Sequence, residues 1–149
     1  MTNPLALVLV KVRNVPDALM VLLARLAMAA FFLRAGQTKV NGFELSSSAV
    51  YLFKEEYNLP LLSPLSAAWL AVGAEHLFPL LMIIGLATRL SALALLGMTI
   101  VIEVFVYPAS WPDHLMWAVL LLFIAARGPG PFALDNVLCK NRSHKVADI

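Results

Sequence analysis

The amino-acid sequence predicts an all-α integral membrane protein that folds as a four-helix bundle. Charged residues make up 13% of the 149 residues and hydrophobic residues 61%, whereas soluble domains carry about 25% charged residues. Four apolar segments approach the roughly 20 residues that a helix needs to cross a bilayer. A soluble fold would have to hide all four in a very small core, so the composition favours a membrane protein.

Each predicted span has local signals at its ends. Ser63 followed by Pro64 is a typical cap and first-turn pair for the second span, because serine accepts a backbone hydrogen bond and proline needs none. Residues 110–113 (Ser-Trp-Pro-Asp) resemble a capping box at the start of the fourth span. We predict a single domain over residues 1–149. Its four spans lie at about 17–36, 64–87, 90–107 and 112–127.

Three segments lie outside the spans. An outer loop of about 37–62 carries aromatic and acidic residues, and we predict a short amphipathic helix in it, around Ser48 to Tyr57. A tail follows at about 128–149. The apolar run 5–10 has no basic residue before it and no A-x-A site after it. It therefore indicates an interfacial segment rather than a cleaved signal peptide, and the first span acts as an uncleaved signal anchor.

The basic residues predict how the chain is oriented in the membrane. The loop of about 37–62 holds Lys39 and Lys54, and Arg34 lies near the end of the first span. The opposite side of the membrane carries more basic residues than this loop. In membrane proteins generally, basic residues are concentrated on the cytoplasmic side. Both termini are therefore predicted to be cytoplasmic. The residues on that side are Lys11, Arg13, Arg89, Arg127, Lys140, Arg142 and Lys145.

The composition excludes several function classes. The net charge is only +2, and no basic patch is interleaved with aromatic residues, so nucleic-acid binding is not indicated. Cys139 is the only cysteine, which excludes an intramolecular disulfide, a CxxC redox pair and a thiolate metal cage. No haem, flavin or nucleotide-binding motif occurs. The partner that the composition does predict is the lipid bilayer.

Ionisable residues near the middle of the first two spans are the candidate catalytic residues. Glu75 and His76 are adjacent at the centre of the second span, and Arg25 lies near the same predicted depth in the first. We expect an Arg25–Glu75 ion pair, which either fixes helix register or forms a polar site with a proton path. Pro79 removes the helical hydrogen bond to the carbonyl of Glu75, which would leave an acceptor beside these side chains.

A second polar group is predicted near the outer surface. Glu103 lies near the end of the third span with Thr99 one turn below it, and His114 opens the fourth span. With His76 these residues offer a two-histidine, one-carboxylate metal set, but they lie on different helices, so metal binding is left open. We interpret Trp111 first as a residue of the aromatic belt at the membrane interface. The alternative interpretation is that Glu103, His114 and Trp111 form a quinone-binding site.

The order of several short motifs resembles the DoxX family. Residues 23–26 (Leu-Ala-Arg-Leu) and 35–39 (Ala-Gly-Gln-Thr-Lys) resemble the family's first-helix signature. The resemblance covers roughly residues 22–138. It continues through Ala74-Glu75, Gly85-Leu86-Ala87-Thr88-Arg89-Leu90, Trp117, Arg127-Gly128-Pro129-Gly130 and Leu134-Asp135.

The resemblance implies a four-helix protein of the inner (plasma) membrane, with the glutamate of the family's second helix at Glu75. Residues 51–57 and 106–114 resemble a narrower subgroup that is often encoded beside small metal-stress peptides and their modification enzymes. The best-understood relatives are membrane subunits of thiosulfate:quinone oxidoreductase, which deliver electrons to quinone. Many members have no assigned reaction, and a shared fold is a weak argument for a shared function.

Three functions follow as alternatives, and whether the protein is an enzyme stays open. The first is a quinone-linked redox subunit that receives electrons from a protein partner and uses quinone as its cofactor. The second is a non-enzymatic membrane component of a metal or oxidative stress response. The third is a small transporter, which would need a homo-oligomer because four helices leave little room for a pathway.

Overall fold

The protein is a bundle of four long helices with a small hairpin and a short helix at one end. The computed structural model describes residues 15–57 and 61–138. The predicted interfacial segment at 5–10 and Cys139 lie outside the described residues. The elements in chain order are α1 (Asp17–Gln37), β1 (Val40–Asn41), β2 (Glu44–Leu45), α2 (Ser47–Glu55), α3 (Pro64–Ile84), α4 (Thr88–Phe105), a 3-10 turn (Pro108–Ser110) and α5 (Trp111–Arg127).

All four predicted spans are confirmed as helices long and apolar enough to cross a membrane, α5 together with the 3-10 turn before it. The second span ends at Ile84, three residues before the prediction, because Gly85 adopts a left-handed φ of 72° and ends the helix. The third begins at Thr88, two residues earlier than predicted. There the carboxylate of Asp135 accepts hydrogen bonds from the backbone N–H of Ala87 and Thr88, at 2.8 and 3.0 Å.

One of the two predicted helix caps is confirmed. The Ser63 hydroxyl accepts a hydrogen bond from the backbone N–H of Ser66 at 3.2 Å, and Pro64 follows in the first turn. The predicted capping box at 110–113 is wrong, since Ser110 makes no side-chain cap bond. The 3-10 turn leads directly into α5, so Ser110 has φ −92° and ψ 18° rather than the extended conformation that a capping serine needs.

The core lies between the four long helices, and the outward faces remain apolar. Leu70, Leu90 and Val104 are each at least 60% exposed, which suits helices whose outer surface contacts lipid. The buried apolar side chains of the core come from α1, α3, α4 and α5. They are Ala24, Met28, Ala29, Phe32, Met82, Ala92, Leu95, Leu121 and Ile124.

The helices α1 and α3 are antiparallel but displaced along their axes. Near the end of α1, an added Cβ at Gly36 would lie 3.0 Å from the Cβ of Glu75, which is close to the middle of α3. The first part of α3 therefore extends past α1. The amphipathic helix α2 covers it, with Phe53 buried against Ala67 and Ala68. The predicted helix of the outer loop is thus confirmed, at Ser47–Glu55.

The bundle has two ends. The loop end comprises residues 38–57 and 61–62 together with 106–110, and the tail end comprises residues 85–87 and 128–138. The chain crosses the bundle four times, so residues 15 and 138 are both at the tail end. That the tail end faces the cytoplasm stays a prediction from the basic residues.

Candidate functional site

The predicted Arg25–Glu75 ion pair is wrong, because Arg25 binds backbone carbonyls at the tail end. Its side chain is fully buried. Its Nε donates to the carbonyl of Met82 at 2.9 Å, and its Nη2 to that of Ile83 at 3.2 Å. Its Nη1 donates to the carbonyl of Pro129 at 2.6 Å. Arg25 therefore ties the tail segment to the last turn of α3, where the helix dipole favours a positive charge.

The error comes from the axial displacement of the two helices. Matching helix midpoints puts Arg25 and Glu75 at one depth, but α3 is shifted towards the loop end. Glu75 lies beside Gly36, which is eleven residues, or about 16 Å of helix, beyond Arg25. Arg25 therefore lies away from Glu75 and bonds to backbone carbonyls at the tail end instead.

The partner of Glu75 is Lys39, which the sequence interpretation did not assign to the site. The Nζ of Lys39 lies 2.8 Å from Oε1 of Glu75, and the two side chains are 13% and 4% exposed. The same ammonium donates to the carbonyl of Ala35 at 3.2 Å. Lys39 is the first basic residue after α1, and its backbone N–H bonds to the carbonyl of Gly36, which turns the chain back towards α3.

The second carboxylate oxygen of Glu75 has no partner. Oε2 is buried and makes no hydrogen bond within residues 15–57 and 61–138. A buried acceptor left unpaired costs about 1–3 kcal/mol, and more when it is charged. Lys39 thus satisfies one oxygen of this carboxylate and leaves the other available.

Glu75 lines a cavity of about 320 Å³ between α2, α3 and α4, which we call the Glu75 pocket. Three of its lining residues, Leu62, Leu70 and Val101, are between 38% and 64% exposed, so the pocket opens onto the outer surface of the bundle. Its polar side chains are the Glu75 carboxylate and the Tyr57 phenol. The other lining residues are Phe53, Ala67, Ala71, Ala74, Phe78, Ala94, Met98 and Ile102.

Aromatic residues of the loop end cover this pocket. The ring of Tyr57 lies 4.2 Å from that of Phe53, centroid to centroid, and edge-on to Tyr107 at 6.5 Å. The Tyr107 hydroxyl donates a hydrogen bond to the Glu56 carboxylate, and this bond raises the pKa of Tyr107 to about 12. Burial raises the pKa of Tyr57. Both phenols therefore keep their protons at neutral pH.

His76 does not line the pocket although it follows Glu75 directly. Its Nδ1–H donates to the carbonyl of Val72, one turn earlier in α3, at 2.8 Å. A Cβ added to Gly36 would lie 2.8 Å from Cε1 of His76. The histidine ring therefore packs closely against α1 at Gly36, where an added side chain would not fit.

The second predicted group does come together. Nδ1 of His114 lies 2.5 Å from Oε2 of Glu103. With Trp111 they line a cavity of about 260 Å³ between α4 and α5, which we call the His114 cavity. Glu103 and His114 meet because α4 and α5 are joined by a short connection, which places the end of one helix beside the start of the next.

The two cavities lie on different faces of α4. Ala94, Met98 and Ile102 line the Glu75 pocket, whereas Thr99 and Glu103 line the His114 cavity. At 3.6 residues per turn these two sets are about a third of a turn apart. The predicted residues therefore occupy separate places rather than one site.

The predicted metal set is not formed. Within the described residues, no three histidine, cysteine, aspartate or glutamate side chains are grouped so that they could hold a metal ion. His76 bonds to a carbonyl in α3, away from the pair formed by Glu103 and His114.

Two comparisons with known proteins place the chain in a family. The DoxX family model matches residues 20–108, which contain Arg25, Lys39, Glu75 and Glu103. An uncharacterized protein of Haemophilus influenzae is 30% identical to this chain, in an alignment that covers 87% of this chain and 90% of that protein. No solved structure matches the chain. The match to the family model and the four helices able to span a membrane agree that the chain belongs to the DoxX family.

Proposed function

We propose that the protein is a quinone-linked membrane component whose Glu75 pocket holds the ring of a membrane quinone. The observation that carries this proposal is the unpartnered Oε2 of Glu75, buried at an apolar pocket that opens onto the outer surface of the bundle. A buried acceptor of this kind fits a ligand that is apolar over most of its surface and carries a hydroxyl group.

The size and lining of the pocket support a ring with an apolar tail. Its volume of about 320 Å³ lies at the lower end of the roughly 300–1,000 Å³ found for small-molecule sites. Phe53 and Tyr57 offer aromatic faces against which a ring can stack. Leu62, Leu70 and Val101 form the exposed rim, where an isoprenoid tail would pass into the surrounding lipid.

The polar groups support a role in holding and transferring a proton. Lys39 fixes one oxygen of Glu75, so Oε2 is left to accept a hydrogen bond from a ring hydroxyl of the reduced form, the quinol. When bound, a quinone takes up two electrons and two protons. Glu75 would hold or release a proton at Oε2, while Lys39 keeps the carboxylate oriented. Phe53 and the other apolar side chains of the pocket exclude water, which strengthens the hydrogen bond.

The electrons have to come from a protein partner. The sequence has no haem, flavin or nucleotide-binding motif, and Cys139 alone cannot form a redox disulfide within the chain. A partner that docks at the membrane surface would supply them.

One observation favours the second candidate function, a non-enzymatic membrane component of a stress response. Phe43, in the turn between β1 and β2, is fully exposed at the loop end. An exposed aromatic residue there offers a contact for a protein partner. The transporter hypothesis has no such support, because Arg25, Glu75 and Glu103 lie in separate places and form no continuous polar track.

The quinone proposal is tested by measuring bound quinone in three preparations. The wild type, Glu75→Gln and the control Asp17→Asn, at a side chain that is 76% exposed, are reconstituted under reducing conditions into nanodiscs with decylubiquinol, purified again and extracted. We expect the wild type and the control to retain the quinol, and Glu75→Gln to retain at least tenfold less. Equal retention in all three, or none above empty nanodiscs in the wild type, would contradict the proposal.

A further inference from the structure

We propose that the His114 cavity is a second binding site, which takes a small single-ring molecule bearing a hydroxyl group, a phenol, through Nε2 of His114. This site is separate from the Glu75 pocket and does not depend on the quinone proposal. Three features of the cavity support this site: the orientation of the imidazole, the hydrogen-bonding character of its polar groups, and its volume.

The carboxylate of Glu103 fixes the proton of His114. Nδ1 of the imidazole lies 2.5 Å from Oε2 of Glu103, and a carboxylate accepts hydrogen bonds, so Nδ1 carries the hydrogen. When the ring is neutral, Nε2 is then an acceptor. His114 is only 5% exposed, and Nε2 forms no hydrogen bond among the described residues. Nε2 is thus an oriented acceptor that a ligand can reach.

The polar groups of the cavity select a ligand that donates. The hydroxyl of Thr99 donates to the carbonyl of Leu95 at 2.9 Å, so towards the cavity it can only accept. Glu103 accepts as well, and its negative charge disfavours an anionic ligand. The hydrogens of Thr99 and His114 are engaged by Leu95 and Glu103, so the remaining side-chain donor among the lining residues is the indole N–H of Trp111, which is 60% exposed. A neutral O–H donor matches this set best.

The volume of the cavity suits a ligand of one ring. The cavity holds about 260 Å³, more than the roughly 150 Å³ that accommodates benzene in an engineered apolar cavity. Ile100, Leu115 and Ala118 supply apolar walls, and the indole of Trp111 supplies a flat face for stacking. A substituted phenol fits this space with its hydroxyl on His114.

The test compares two probes that differ in the hydroxyl group, 4-fluorophenol and 4-fluorotoluene, by ¹⁹F NMR with the protein in nanodiscs. After subtraction of empty nanodiscs, we expect 4-fluorophenol to bind at least tenfold more tightly than 4-fluorotoluene. The preference should disappear in His114→Phe. Equal binding of the two probes, or loss of the preference in Glu75→Gln while His114→Phe keeps it, would overturn the proposal.

A measurement on the wild type keeps the test valid if His114→Phe fails to fold. With ¹⁵N-labelled histidine, the Nε2 resonance of His114 is assigned by comparison with His76→Asn and His144→Asn. It should move when 4-fluorophenol is added and stay in place with 4-fluorotoluene. An unchanged resonance with both probes would overturn the proposal.

Discussion

Lys39 and Glu75 form a buried ion pair, with 2.8 Å between Nζ and Oε1, that joins the chain just after α1 to the middle of α3. The pair determines what the Glu75 carboxylate can do. One oxygen is held by the ammonium, and the other has no hydrogen-bond partner among the described residues, in a side chain that lines an apolar pocket. The position of Glu75 therefore depends on the loop end rather than on Arg25.

Removing Lys39 should destabilise the protein strongly. Lys39→Met leaves the Glu75 charge buried without a partner, which typically costs about 3–5 kcal/mol in soluble proteins. The double variant with Glu75→Gln should cost less than Lys39→Met alone, because no uncompensated charge remains. Thermal unfolding in detergent measures both.

The exposed ion pair of Asp17 and Arg127 is the control. Its atoms are 2.9 Å apart, but the side chains are 76% and 57% exposed, so Asp17→Asn should change stability by less than about 1 kcal/mol. If Lys39→Met had an equally small effect, the buried pair would not hold Glu75 in place.

Arg25→Leu should destabilise the tail end independently of Glu75. It leaves buried carbonyls of Met82 and Pro129 without donors, at about 1–3 kcal/mol for each unsatisfied group. Because Arg25 and Glu75 are far apart, the effects of Arg25→Leu and Glu75→Gln should add within about 0.5 kcal/mol. A double-mutant cycle by thermal unfolding checks this. A large coupling energy would indicate that Arg25 and Glu75 interact directly.

Gly36→Ala should weaken the contact between α1 and α3. The new methyl group would lie 2.8 Å from the His76 ring, and overpacking of this kind costs about 1–3 kcal/mol. His76→Ala in the same chain should recover most of the loss. Gly97→Ala is the control, because an added Cβ there meets nothing within 4 Å. It should stabilise α4 by about 0.5–1 kcal/mol, and equal effects at both glycines would contradict the close approach.

The bond between Tyr107 and Glu56 predicts how stability depends on pH. The pKa of Tyr107 is raised in the folded state to about 12 from an ordinary value of about 10. The stabilisation is therefore fully present below about pH 10 and is lost as the pH rises through about 12. The difference in melting temperature between the wild type and Tyr107→Phe should shrink over that window. A difference that stays constant up to pH 12 would show that the bond does not contribute.

The sequence predicts the four spans well because their signals are local. Apolar length and the cap at Ser63 act within one or two turns of a helix. The pair of Glu103 and His114 is also predictable, since consecutive antiparallel helices bring the end of one beside the start of the next.

The axial displacement of α1 against α3 is not predictable in the same way. It depends on the contact of Gly36 with His76 and on α2 covering the first part of α3, and both arise only in the assembled fold. This displacement separates Arg25 from Glu75 and brings Lys39 to the site instead. Lys39 follows the end of α1, so its position near an acidic partner can be inferred only once the displacement is known.

Photolabelling with an azido-substituted quinone in nanodiscs tests the central claim, that the Glu75 pocket binds a quinone ring, most directly. The labelled peptides are mapped by mass spectrometry. With the probe in its reduced, quinol form, we expect labelling at Tyr57, Met98 or adjacent residues, reduced by excess decylubiquinol and by Glu75→Gln. Labelling of Trp111 and Leu115 instead, or labelling spread over the outer surface and unaffected by decylubiquinol, would contradict the claim.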